Sequence, residues 1–256
     1  VTGTPAHPNH FSWTIGDLVG KDGRRYTVLV ARPDGPGGMR KAVRSTTAAF
    51  SAGHVLIICG AGGLDASIGQ DDLIIANRIM GFSYGGPDRV CRLRPDWELP
   101  TDPTLASAAD AVGQSRSGDQ AQAGVLEASL RAGIVAAGAS GTWPLNGPTI
   151  TPLARAVPGL LAVAEENIDA FLDLDMMRDH GQLSQFSVLC HVDHRIPSTP
   201  SPAPVTVQAP DGRHPNAGEE RAAAVIVDLM SWARPLQSLT DHRTEERNDD
   251  VGSSSI

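Results

Sequence analysis

The chain has 256 residues, 41% hydrophobic and 20% charged, an ordinary composition for a folded protein that excludes a collagen, a disulfide scaffold and wholesale disorder. Twenty-nine acidic against 21 basic residues give a net charge of −8, so neither a nucleic acid nor an anionic membrane is expected as a partner. No apolar stretch reaches the ~18 residues of a membrane span, and three widely spaced cysteines, Cys59, Cys91 and Cys190, fit a reducing, cytoplasmic setting.

Residues 1–8 lack the charged and apolar regions of a signal peptide. The start at Val1, without an initiating Met, fits a segment of a longer protein. Residues 11–20 and 25–32 are β-rich runs around Lys21-Asp22-Gly23 and read as an antiparallel hairpin. Small and apolar residues over 39–50 suit a helix packed on a sheet. His54-Val55-Leu56-Ile57-Ile58-Cys59 is then apolar enough for a strand covered on both faces, and Gly60-Ala61-Gly62-Gly63 reads as the turn that ends it.

A second buried strand is expected over 72–79, a flexible aromatic-bearing segment over 81–86 and a loop over 92–103. The Ala-rich stretch 105–131 contains an expected helix at 119–131, followed by a short apolar strand at 134–137. A strand at 160–164, a helix at 168–177 and a strand at 186–192 continue the alternation of an α/β sheet. Residues 198–210 are Pro- and Ser-rich and read as a loop, 218–233 as a helix, and the polar 241–256 as a tail. One domain over 1–240 is therefore expected, a central mixed sheet flanked by helices.

The run Val55-Leu56-Ile57-Ile58-Cys59-Gly60-Ala61-Gly62-Gly63-Leu64, followed by Gly69-Gln70-Asp71-Asp72-Leu73-Ile74-Ile75-Ala76, carries a resemblance. It is similar to the apolar strand, AGG turn and GD-plus-strand signature of the purine and uridine phosphorylase and nucleosidase superfamily. That superfamily includes the methylthioadenosine/S-adenosylhomocysteine nucleosidases and related domains attached to bacterial effector proteins. Gly133-Ile134-Val135-Ala136-Ala137-Gly138 and the helix over 219–233 support the match, which spans roughly residues 10 to 234.

The resemblance implies an α/β nucleoside phosphorylase-like fold, a purine nucleoside or nucleotide as the small-molecule partner, and hydrolysis of its N-glycosidic bond. Inactive ligand sensing and phosphate-dependent cleavage are the alternatives. It also implies that Ala61, Gly62 and Gly63 line the pocket, and that a carboxylate in a VEMEA-like segment holds the ribose. Val163-Ala164-Glu165-Glu166 makes Glu166 the preferred carboxylate, and alignment on the later strand makes Asp169 the fallback; either also suits a helix start, where acidic residues stabilise the dipole. In Val188-Leu189-Cys190-His191-Val192-Asp193-His194, Asp193 or His194 stands where the family has the acid that assists the base.

Phe82, Tyr84 and Trp143 are candidate pocket aromatics, although such side chains more often pack in cores. No cofactor is expected. His7, His10 and His54 lack the adjoining Cys or carboxylate ligands of a zinc site, so no metal is expected either. The segment 1–9 supplies neither the family's apolar first strand nor its Glu-containing loop, which leaves water activation unassigned. Arg24, Arg25, Arg40 and Arg44 are the basic residues available to a phosphate. Homo-oligomerisation, or attachment to a parent effector protein, is implied by the resemblance alone.

Overall fold

The computed structural model describes residues 11–19, 23, 25–33, 38–85, 90–123, 129–139, 147–166, 168–196, 225, 226 and 229. Strands β1 (Phe11–Val19) and β2 (Arg25–Pro33) pair antiparallel from Phe11↔Pro33 to Val19↔Arg25, as their alternating composition requires. This hairpin is a separate two-stranded sheet. It is fastened to helix α1 (Gly38–Ala49) through Trp13, whose indole N–H donates to Thr46 Oγ1 at 3.1 Å while its ring meets Phe50 edge-on at 5.4 Å.

The main sheet contains β3 (His54–Gly63), β4 (Leu73–Gly85), β5 (Val90–Pro100), β6 (Leu130–Gly138), β7 (Leu160–Ala164) and β8 (Gln185–Arg195). Their order is β5-β4-β6-β7-β3-β8, and β4 also pairs with β8 through Leu73↔His191 and Ile75↔Leu189. The strands β4, β6, β7, β3 and β8 thus close into a ring. Closure requires β4 to bend, and its register slips between Ala76 and Arg78 against β6 and between Met80 and Phe82 against β5.

Helices α2 (Pro103–Ala123), α3 (Gly147–Ala156) and α4 (Ile168–Asp179) cover the strands. Ile168, Phe171 and Leu174 of α4 pack with Ile74, Val135, Ala162 and Val188 in one core cluster. On another face, Leu105, Ala109 and Val112 of α2 bury Leu73, Ile75 and Leu189 together with Val225 and Leu229. Those two residues are helical and lie four apart, the spacing of one helix face. Among the described residues no helix is long and apolar enough to cross a membrane.

Four local expectations change. Residues 60–63 are not a turn: β3 continues through Gly63 because Ala61, Gly62 and Gly63 pair with both β7 and β8. Residues 81–85 are strand because β5 partners them, and most of 92–103 is β5 rather than loop. There Cys91, Leu93, Trp97 and Leu99 alternate toward the interior, while Pro95 is tolerated because β5 is an edge strand. The helix expected at 119–131 begins instead at Pro103 and β6 starts at Leu130; Asp102 caps α2, its Oδ1 accepting from the Thr104 N–H at 2.8 Å. The stretches 1–10, 198–210 and 241–256 lie outside the described residues.

Asp173, on the buried face of α4, joins this helix to α1. Arg40 and Arg44 each donate two hydrogen bonds to it, with Nε distances of 2.8 and 2.6 Å to Oδ2. Burial alone would raise its carboxyl; the bonds from Arg44 and Arg40 outweigh that and hold it below the ordinary value. Asp173→Ala therefore lowers stability by about 2–3 kcal/mol in urea unfolding at neutral pH. Because the folded value is depressed, this contribution is present above the ordinary carboxylate range and disappears as pH falls through the folded value, so wild type and variant converge in acid.

Candidate active site

The candidate site is built at the C-terminal ends of β3, β7 and β8. β3 and β8 run parallel with Cys59↔Cys190, Gly60↔His191 and Ala61↔Val192 in register, and the next pair is Gly62↔His194. Asp193 is the extra residue of a β-bulge. Successive strand side chains ordinarily point to opposite faces. The bulge brings Asp193 and His194 to one face instead: a Cβ added at Gly60 would collide with Asp193 Oδ2, and one at Gly62 would lie 3.1 Å from His194 Nε2.

β7 supplies the third group. Its antiparallel pairs Gly62↔Val163 and Ala61↔Ala164 put residue 165 opposite Gly60, and the Glu165 N–H donates to the Gly60 carbonyl at 2.9 Å. The Glu165 side chain lies over Gly60, where a Cβ would come within 2.7 Å of Oε2, and its Oε1 is 3.8 Å from His194 Nδ1. Glu165 and Asp193 are 45% and 44% exposed, so a ligand can reach both.

Behind them His191 Nδ1 lies 2.7 Å from Asp193 Oδ1, and Cys59 and Cys190 sit with their sulfurs 3.4 Å apart. Burial, then the neighbouring Asp193 charge, raises the Glu165 carboxyl, with His194 opposing. The hydrogen bond with Asp193 raises the His191 imidazole against the effect of its burial. The Cys59 thiol is pushed well up by its bond with Cys190 and by burial, which disfavours a nucleophilic thiolate. Two carboxylates beside two imidazoles are equipped for general acid–base work and for accepting hydrogen bonds from hydroxyls.

The three regions singled out in the sequence thus meet. Gly62 faces the cluster, whereas Ala61 and Gly63 face the core, Gly63 against Ile68 and Val192. Glu165, rather than Glu166, stands over Gly60. Asp169 lies on the first turn of α4, 3.7 Å from Arg40 Nη1. Phe82 is fully buried in the cluster containing Ile150, Leu153 and Ile196, and Tyr84 is 38% exposed near the end of β4. Trp143 lies outside the described residues. The pairing of β3 with β7 puts Glu165 over Gly60, while Glu166 as well as Glu165 acts on the Cys59 thiol, and the i, i+2 spacing that puts His191 beside Asp193 was readable in the strand.

Among the described residues no group of His, Cys, Asp and Glu is arranged to hold a metal ion. His54 bonds Ser187 Oγ at 3.1 Å and lies 3.6 Å from Asp102, and burial lowers its imidazole. His7 and His10 lie outside the described residues.

No protein-family model matches the chain, and no curated protein matches it. Solved structures share its fold. A methylthioadenosine/S-adenosylhomocysteine nucleosidase from Colwellia psychrerythraea, in complex with adenine, is 14% identical with a TM-score of 0.58, over 91% of this chain and 87% of that one. The S-adenosylhomocysteine nucleosidase of Streptococcus pyogenes, in complex with 5-methylthiotubericidin, is 14% identical with a TM-score of 0.60, over 90% and 86%. The futalosine hydrolase of Helicobacter pylori is 15% identical with a TM-score of 0.55, over 94% and 88%. The chain therefore has the α/β fold of these solved nucleosidases.

Glu165, raised in the folded state, costs stability once pH exceeds its unfolded value, and the whole cost is present above its folded value. Glu165→Gln therefore raises the thermal midpoint by about 2 °C at pH 8, and the gain vanishes toward pH 4. Gly60→Ala folds, because the atoms that its methyl meets are the mobile ends of Asp193 and Glu165. It separates the two carboxylates and weakens ligand binding, read as the loss of ligand-induced thermal stabilisation.

Proposed function

We propose that the chain binds a purine nucleoside and hydrolyses its N-glycosidic bond, giving a free base and a ribose derivative. The observation that carries this reading is the convergence of Glu165, Asp193 and His194 over the bare backbone of Gly60 and Gly62, in a fold shared with nucleosidases crystallised with adenine and with a nucleoside analogue. Scission leaves negative charge on the departing purine and positive charge on the sugar. Asp193, with His194 beside it, acts at the base, where a proton must be delivered. Glu165 faces the sugar, accepting from its hydroxyls and offsetting the developing charge.

Water is the acceptor in this reading. Arg40 and Arg44, which the sequence offered to a phosphate, are both bound to Asp173, which favours hydrolysis over phosphorolysis. Adenosine, inosine and methylthioadenosine, each incubated with the chain with and without phosphate, test it by chromatography of the free base. Base release independent of phosphate is expected, falling by about 10²–10⁴-fold in Asp193→Asn and in Glu165→Gln. Release that requires phosphate makes the chain a phosphorylase. Thermal stabilisation by a nucleoside without base release makes it a sensor, and the absence of both overturns the reading.

A further inference from the structure

β8 presents one more titratable side chain beside Asp193, and the assignment above leaves it without a task. The His191 side chain is 14% exposed and is held between two carboxylates: Nδ1 is 2.7 Å from Asp193 Oδ1, and Nε2 is 3.5 Å from Asp71 Oδ1. Nε2 is buried without a hydrogen-bond partner among the described residues, so Asp71 is the charge that this edge of the ring faces.

Asp71 is itself unusual. It is the one non-glycine residue with positive φ among those described, at 72°, a conformation that glycine adopts without penalty. The Asp71 N–H donates to the Val192 carbonyl at 2.8 Å and Leu73 pairs with His191, which fixes the bend against β8. The neighbouring Asp72 carboxylate is turned away, accepting from the N–H groups of Gly69 and Ser129 at 2.8 Å each. Among the described residues, the charged groups that act on the imidazole are Asp193 and Asp71, and Glu165 and His194 stand beside Gly60 and Gly62 with Asp193. Two carboxylates therefore flank one imidazole.

We propose that His191, oriented by Asp71, is the positioning residue that supplies Asp193 with the proton it delivers to the departing base. This rests on the nucleosidase reading. A carboxylate has no proton to give, whereas an adjacent imidazolium has one. In the step, the Nδ1–H bond of His191 breaks and an O–H bond forms on Asp193. That proton passes to the leaving purine nitrogen as the glycosidic electron pair moves onto the base. His191 ends neutral, Asp193 ends as a carboxylate, and solvent returns the proton to the imidazole before the next turnover.

The experiment has two independent arms. In the first, imidazole resonances of the intact chain are titrated by NMR; His191, assigned by its loss in His191→Gln, titrates above an ordinary histidine, and Asp71→Asn moves it down. Asparagine tolerates the positive φ, so this second variant reads the charge alone. In the second, the pH dependence of base release is compared: the alkaline limb of kcat moves to lower pH by about one pH unit in Asp71→Asn, and His191→Gln lowers kcat by about 100-fold with KM nearly unchanged. A His191 that titrates at or below the ordinary histidine value overturns the inference whatever the activity. An active chain whose alkaline limb stays in place in both variants overturns it and leaves the nucleosidase reading standing. A chain that releases no base overturns the nucleosidase reading, while the titration still reports on the His191 environment.

Discussion

One extra residue in β8 is the constraint on which the candidate site depends. Strand geometry sends adjacent side chains to opposite sides of a sheet, and a regular β8 would give only one of Asp193 and His194 to the face of Glu165. The register slip between Ala61 and Gly62 delivers both. The slip lies at the rim of the ring, where bulges commonly redirect a side chain, and pairing resumes beyond it at Gly62↔His194 and Gly63↔Arg195. Asp193 or His194 was an open alternative in the sequence; the bulge makes the two residues members of one cluster.

Space is the complementary requirement. Gly60 and Gly62 alternate with Ala61 and Gly63, so one face of β3 has no side chains where the acidic groups gather, and the other is packed against Ile68 and Val192. The carboxylates occupy the volume that a Cβ at Gly60 would fill, and Ile196 and His194 occupy that of a Cβ at Gly62. Small residues are thus needed here for room above the backbone and not for a tight turn, since the backbone of 61–63 is extended and paired on both edges. The cluster is positioned by hydrogen-bonded strands rather than by loops, which limits how far its members move apart.

Much of the fold was legible because its signals are local. The apolar run at 54–59, the hairpin around Lys21-Asp22-Gly23 and the elements at 160–164 and 168–177 follow from period and punctuation alone. β5 was hidden by Pro95 and its charges, which an edge strand accepts and an interior strand does not. The start of α2 was written in Asp102-Pro103-Thr104, a cap followed by proline at the first helical position, but the Ala-rich run beyond it carries no apolar period to announce the helix. Adjacent acidic residues are alike in composition, and it is the pairing of β7 with β3 that puts Glu165 over Gly60. The bulge has no compositional mark at all, because an inserted strand residue is visible only against its partner.

The closed ring has a consequence for the order in which the molecule becomes competent. β3 and β8 are the first and last strands of that ring in the chain, and the Asp193 cluster exists only when they lie side by side. During synthesis from the N-terminus, the glycine face is made long before the residues that stand over it. Joining partners so distant along the polypeptide is slow compared with local helix formation. Acid–base capability therefore arrives with completion of the architecture, and a nascent or prematurely terminated polypeptide holds only an inert half of the cluster.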